Sequence, residues 1–206
     1  MRRWPLWLDL ALKAALFAVL LFAVLFPDSP QFEGKAMTAR VIVYPIAVLV
    51  VPAVWWLVAR RRPTPYPYAL DILWTLPFLI DTAGNALDLY DTIHWWDDAN
   101  HFVNWALLVG AFGQLLLRLP VGRLTTFGLC VGFGALIAIL WEFAEYITFI
   151  RDSPELETAY TDTLGDLALG LSGSLVAAAI TAWALPPGRA AQSDRVSTTL
   201  SSPGPS

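Results

Sequence analysis

Apolar runs of membrane-spanning length recur from the first residues to about position 185, and that recurrence leaves few folds open. Five stretches of roughly 18 or more residues are mostly apolar and a sixth is nearly so; as helices they are long enough to cross a hydrocarbon layer of about 30 Å. Backbone in hydrocarbon must satisfy its own hydrogen bonds, so such runs predict helices and not open sheet. The composition agrees: 57% of the 206 residues are hydrophobic and 15% are charged, unlike a water-soluble domain. The expected fold is all-α and polytopic, with one transmembrane domain over residues 1–185. Residues 186–206, rich in Pro, Gly, Ser and Ala, have nothing to bury and are expected to form a disordered cytoplasmic tail.

The first run starts at MRRW and ends at Phe26-Pro27-Asp28 without a small-x-small cleavage pattern, which makes it an anchor and not a cleaved leader. Asp9 and Lys13 in it are spaced for a local ion pair. The second run, residues 41–59, contains Pro45 and Pro52, which predict kinks and not breaks. Trp55, Trp56 and the Arg60-Arg61-Arg62 run after them mark an interface, and Asp71 is placed near those arginines. Four further segments follow at about 68–89, 100–119, 124–150 and 162–185. Arg2, Arg3, Arg60, Arg61, Arg62, Arg118, Arg123, Arg189 and Arg195 fall on one side, against Lys35, Arg40 and Arg151 on the other. The positive-inside rule then predicts six transmembrane helices with both termini cytoplasmic.

Within this apolar frame the polar residues are not scattered. Asp81, Asn85 and Asp88 recur at i, i+4, i+7 if the third helix continues to about residue 91, and Asp97, His101 and Asn104 repeat that spacing in the fourth. Asp98 stands three residues before His101. Glu142 and Glu145 share a face of the fifth helix, and Asp162, Asp166, Gly170 and Gly173 share one of the sixth, where small residues let a neighbour approach. An acidic side chain at mid-membrane costs about 2.5 to 3.5 kcal/mol on insertion scales, so these stripes are expected to converge on a cup open to the outer side. Arg151 is the only arginine the sequence puts close to that end, so protons or a bound cation are expected to balance the carboxylates.

A divalent cation (Mg, Mn, Ca or Zn) would be held by Asp98, His101, Glu145 and Asp166, with Glu142 beside them. Asp81 and Glu142 are the candidate general bases, and Asn85, Asp88, Asp97, Asn104 and Asp162 would contact the substrate. The reading this favours is a site that binds or acts on a lipid or lipid-linked envelope precursor. The alternative is a proton- or cation-coupled transporter; a third is an assembly module with an exposed acidic face. The pentapeptides at 81–85 (DTAGN) and 162–166 (DTLGD) would also suit an inverted repeat. His94, Asp152, Glu155 and Glu157 are read as interface or loop residues. Cys130, the only cysteine, has no disulfide partner and is read as packing. The small net charge of −4 and scattered basic residues imply the bilayer as partner and no nucleic acid. Oligomeric state is not legible.

Taken together, Asp81, Gly84 and Asn85, Leu89-Tyr90-Asp91, Trp96-Asp97-Asp98 with His101, Trp141-Glu142 with Glu145, and Tyr160, Asp162, Thr163, Asp166 and Gly170 make the chain similar to the YjdF-like inner-membrane proteins over roughly residues 71–184. That resemblance implies a helical fold and a multi-pass location in the bacterial cytoplasmic membrane, and it implies no established activity. More distantly the chain resembles VanZ-like membrane proteins, with Asp98, His101, Glu142, Asp162 and Asp166 in the corresponding places. It departs from them in Ala99, where lysine is common, and in Glu145, where glutamine is common.

Overall fold

In the computed structural model, which describes residues 3–184, the chain is all-helical. Seven α-helices follow one another: α1 Trp4–Leu25, α2 Met37–Ala59, α3 Tyr68–Ala86, the single turn α4 Leu89–Thr92, α5 Trp96–Leu116, α6 Arg123–Glu145 and α7 Ala159–Ala184. By length and composition α1, α2, α7 and the helix beginning at Arg123 qualify as membrane spans among the described residues. At 19 and 21 residues, α3 and α5 are long enough but more polar. They are also the inner pair: α5 packs on α3, α6 and α7, and α3 packs in turn on α1 and α2. Helices shielded from lipid on several sides can carry polar residues that an outer helix cannot. The tail expected over 186–206 lies outside the described residues.

Local sequence sets the helix ends. Pro5 opens α1, where its missing N–H costs nothing. Pro45 and Pro52 sit inside a continuous α2, as expected. Gly34 and Ala36, with φ of 71° and 48°, turn the chain into α2. The third helix stops at Ala86, a turn earlier than its periodicity suggested. Asp88 takes a left-handed conformation, φ 58°, and caps α4, a geometry that Asp tolerates better than most residues. It therefore leaves the stripe of Asp81 and Asn85. The cause lies at Gly84: a Cβ there would meet Trp96 Nε1 at 2.5 Å and Tyr90 Cε2 at 2.9 Å, so α4 and the start of α5 fold back across the end of α3. The next helix begins at Trp96, about a turn earlier than the apolar run alone indicated.

Two apolar clusters hold the bundle. Leu16, Leu20, Tyr44 and Val48 join α1 to α2, and Val109, Leu116, Cys130, Ala177 and Ala178 join α5, α6 and α7. Cys130 is buried there as a packing residue. The α5–α7 approach is close enough that a Cβ on Gly173 would collide with the backbone carbonyl of Phe102, and one on Gly170 with the Trp105 ring. The small-residue face read from the sequence is thus a packing face. Backbone cannot yield as a flexible side chain can, so Gly173→Ala is expected to destabilise the protein by about 1–3 kcal/mol. Thermal unfolding in detergent against Gly132→Ala, whose Cβ would meet nothing within 4 Å, checks this.

Candidate functional site

Every polar stripe read from the sequence ends at the same end of the bundle. Arg40 and Tyr44, one turn apart on α2, meet Asp81 of α3 and Tyr90 of α4 in a buried knot. Arg40 Nε donates to Asp81 Oδ2 at 2.8 Å and Nη2 to Oδ1 at 3.1 Å. Tyr44 Oη–H donates to Oδ2 at 2.5 Å and Tyr90 Oη–H to Oδ1 at 3.0 Å. Burial and the neighbouring Asp81 charge push the Tyr90 phenol well above its ordinary range, so it stays a donor. A bidentate, fully bonded pair of this kind is rigid as well as neutral. Arg40 Nη1 also donates to the Lys35 carbonyl, and Lys35 Nζ donates to Asp91 Oδ1 at the exposed rim, 2.9 Å.

Two expectations need correction here. Asp81 is not an unpaired carboxylate, because it already accepts from four donors. Nor is Arg151 the nearest arginine: it pairs with its exposed neighbour Asp152, while Arg40 enters the site.

Across a cavity of about 330 Å³ from this knot stands His101 of α5. It is 7% exposed and faces acids from three helices. Nε2 is 3.7 Å from Asp97 Oδ1 on its own helix and 3.6 Å from Asp166 Oδ1 on α7; Nδ1 is 4.0 Å from Glu142 Oε1 on α6. These gaps exceed hydrogen-bond lengths, and Nδ1 has no hydrogen-bond partner. Two ligand atoms on one transition-metal ion, each at about 2.1 Å with a near-tetrahedral angle, lie roughly 3.4 Å apart. Two sets of donor atoms lie close enough to share an ion: Asp97, His101 and Asp166, and His101, Glu142 and Glu145.

Further polar atoms in the wall lack partners. Asn85 Oδ1, Asn104 Oδ1 and Trp105 Nε1 are buried without a hydrogen bond, and all three residues line the cavity. The amide nitrogens of the two asparagines are taken locally, Asn85 Nδ2 by the Asp81 carbonyl at 2.9 Å and Asn104 Nδ2 by Asn100 Oδ1 at 3.1 Å. Buried polar groups without partners are uncommon in a native fold, and these three join His101 Nδ1 around one space.

The site thus brings together Asp81, Asn85, Asp97, His101, Asn104, Glu145, Asp162 and Asp166 on one cavity, with Glu142 buried behind the imidazole. Asp88 and Asp98 are not among its walls. Asp98 is exposed and lines a shallower hollow beside it, with Glu157 and Thr161; Asp162 and Asp166 border both spaces. Asp97 occupies the place among the donor atoms that spacing gave to Asp98. His94 is exposed and does not line the cavity. The paired pentapeptides do not sit alike: Asp81 is buried on Arg40 while Asp162 is exposed, and Gly84 is crowded while Gly165 has open space. Arg40, Tyr44 and Tyr90 were missed, although an arginine followed four residues later by a tyrosine at the head of an apolar helix is a visible signal.

No curated protein and no solved structure matches the chain, and the likeness to VanZ-like proteins finds no support in these comparisons. The model of a family described as predicted membrane protein, DUF2238, does match, over residues 8–186. The chain with this buried carboxylate–imidazole cup is therefore a member of the DUF2238 family of predicted membrane proteins.

Proposed function

We propose that the cup binds a divalent cation and, with it, holds or acts on the phosphate-bearing headgroup of a lipid or lipid-linked envelope substrate. The observation that carries this reading is His101, buried between carboxylates of α5, α6 and α7 at 3.6 to 4.0 Å with Nδ1 unpartnered. Asp97, His101 Nε2 and Asp166 would hold the ion, open to the cavity, and Glu142 would accept the Nδ1–H and fix the ring, the usual carboxylate–histidine–metal arrangement. One imidazole among carboxylates suits Zn or Mn better than Mg or Ca. The cation would polarise a phosphate or activate water. Glu145 and Asp162, on the cavity wall, would take or give the proton. Arg40 and Lys35, on the opposite wall and each paired with an acid, would turn their remaining N–H donors to a phosphate there, and Asp81 would serve to hold Arg40 and not as a base.

This reading includes six membrane crossings with the cup outward. The basic Arg60-Arg61-Arg62 run lies at the end of α2 away from Arg40, and Arg118 and Arg123 lie at the end of α5 away from Asp97, in keeping with cytoplasmic placement of those loops. The bacterial cytoplasmic membrane and the YjdF-like resemblance belong to the same proposal. Transport is the weaker alternative. Beneath the cup the buried residues of α5, α6 and α7 are Val109, Leu116, Cys130, Ala177 and Ala178 with the hydroxyls of Thr126, Ser174 and Thr181 among them, and no carboxylate, imidazole or cation is buried there among the described residues of those three helices.

Elemental analysis of the protein purified without chelator tests the proposal. About one Zn or Mn per chain is expected; metal-free protein that still binds or turns over phospholipid headgroups would end it. Whether the protein acts on lipid is read separately, by phosphate release or headgroup exchange with labelled phospholipid vesicles.

A further inference from the structure

A second buried ionic cluster lies at the opposite end of the bundle and owes nothing to the cup. Lys13 Nζ donates to Asp9 Oδ1 at 2.5 Å and to Asp71 Oδ2 at 2.6 Å, and the Tyr66 hydroxyl also donates to Asp71 Oδ2. Local spacing gave only the Asp9–Lys13 pair, and Asp71 was placed beside the arginines. It is instead fully buried, on α3 against α1. We propose that Asp9, Lys13 and Asp71 form a proton-binding site in which the two carboxyls share one proton.

The argument is a charge count in a closed space. Both acids bond the same nitrogen, so they stand within the roughly 4–6 Å over which one carboxylate opposes ionisation of another. Asp9 and Asp71 side chains are 6% and 0% exposed and Lys13 is 11% exposed, so water does little to screen them. One ammonium balances one carboxylate; the second is left as net buried charge unless it takes a proton. Asp71 Oδ1 is an independent observation on the same point: it is a buried carboxyl oxygen with no hydrogen-bond partner, which costs far less on a neutral carboxyl than on a carboxylate.

The neighbours do not remove the imbalance. Tyr66 packs at a tilt against Tyr68, ring centres 4.7 Å apart, and meets Trp55 of α2 edge-on at 5.0 Å. Burial and its bond to Asp71 push the Tyr66 phenol above its ordinary range, so it adds a donor but no charge. The Arg60 guanidinium lies over the Trp56 ring at 4.5 Å. Among the described residues Lys13 is the cation bonded to either acid. Lys13 Nζ bonds both carboxyls at once, so the proton is assigned to the pair and not to one residue. Losing it leaves an uncompensated charge between α1 and α3.

Infrared spectra of the full chain in lipid nanodiscs, with ¹³C-labelled aspartate, test this. The aspartates of the cup carry the same label, so the site is read in difference spectra: at neutral pH, wild type minus Asp9→Asn and wild type minus Asp71→Asn are each expected to show the loss of one carboxylic C=O band, since each variant leaves one acid and one ammonium. Lys13→Met works in the other sense: with no ammonium both carboxyls hold protons, and its difference spectrum shows a gain of about the same size. Neither sodium nor divalent cations should change these difference bands, which separates this site from any failure of the cup. Superimposable wild-type and Asp9→Asn spectra, or a band that sodium abolishes, would overturn the proposal; if one Asn variant does not fold, the other decides.

Discussion

Arg40→Met is expected to cost about 3–5 kcal/mol of stability, because it strands Asp81 as a buried, unpaired carboxylate. The Arg40 and Asp81 side chains are 11% and 8% exposed, and two of the four hydrogen bonds to the carboxylate come from the guanidinium. Tyr44 and Tyr90 remain as donors but bring no charge. Asp81→Asn strands the cation instead and is expected to cost a similar amount. The double variant Arg40→Met/Asp81→Asn removes both charges and should lose much less than the two single losses added together, the signature of direct coupling. Detergent-unfolding curves of the four proteins make the measurement. Additive losses would mean that the pair is solvated and that the knot does not set the shape of the cup.

That knot also shows where sequence reasoning stopped. The stripes on α3, α5, α6 and α7 were legible because helical periodicity is local: Asp97, His101 and Asn104 must share a face once the helix forms. Which of Asp97 and Asp98 meets the imidazole was not legible. Both lie within a turn of His101, and they differ by about 100° around the axis; the choice falls to Asp97 because α7 brings Asp166 to that side. Arg40 with Asp81, and Lys13 with Asp71, are pairings between helices more than forty residues apart in both cases, and no spacing rule reaches them. The end of α3 was misread for a related reason. Nothing in the periodicity of residues 81–91 signals a stop, which is set by Trp96 and Tyr90 folding onto Gly84.

The cup's chemistry separates its residues by the kind of loss each should produce. If the cation lies on His101 Nε2 with Asp97 and Asp166, then His101→Ala and Asp166→Asn each remove a donor from a set of three, and bound metal is expected to fall below detection. Glu142→Gln leaves all three donors in place and takes only the carboxylate behind Nδ1. A partner of this type is typically worth 10- to 100-fold in affinity, so this variant should still load at higher free metal. Asp98→Asn, whose carboxylate faces the outer hollow, is expected to leave metal content unchanged, although spacing alone had made it a ligand. Competition with a chelator of known affinity gives the order wild type and Asp98→Asn, then Glu142→Gln, then His101→Ala and Asp166→Asn. Complete loss in Glu142→Gln with retention in Asp166→Asn would move the ion to the other face of the same ring, among His101, Glu142 and Glu145. The imidazole would remain its centre, but the acids of α7 would then be free to face the substrate.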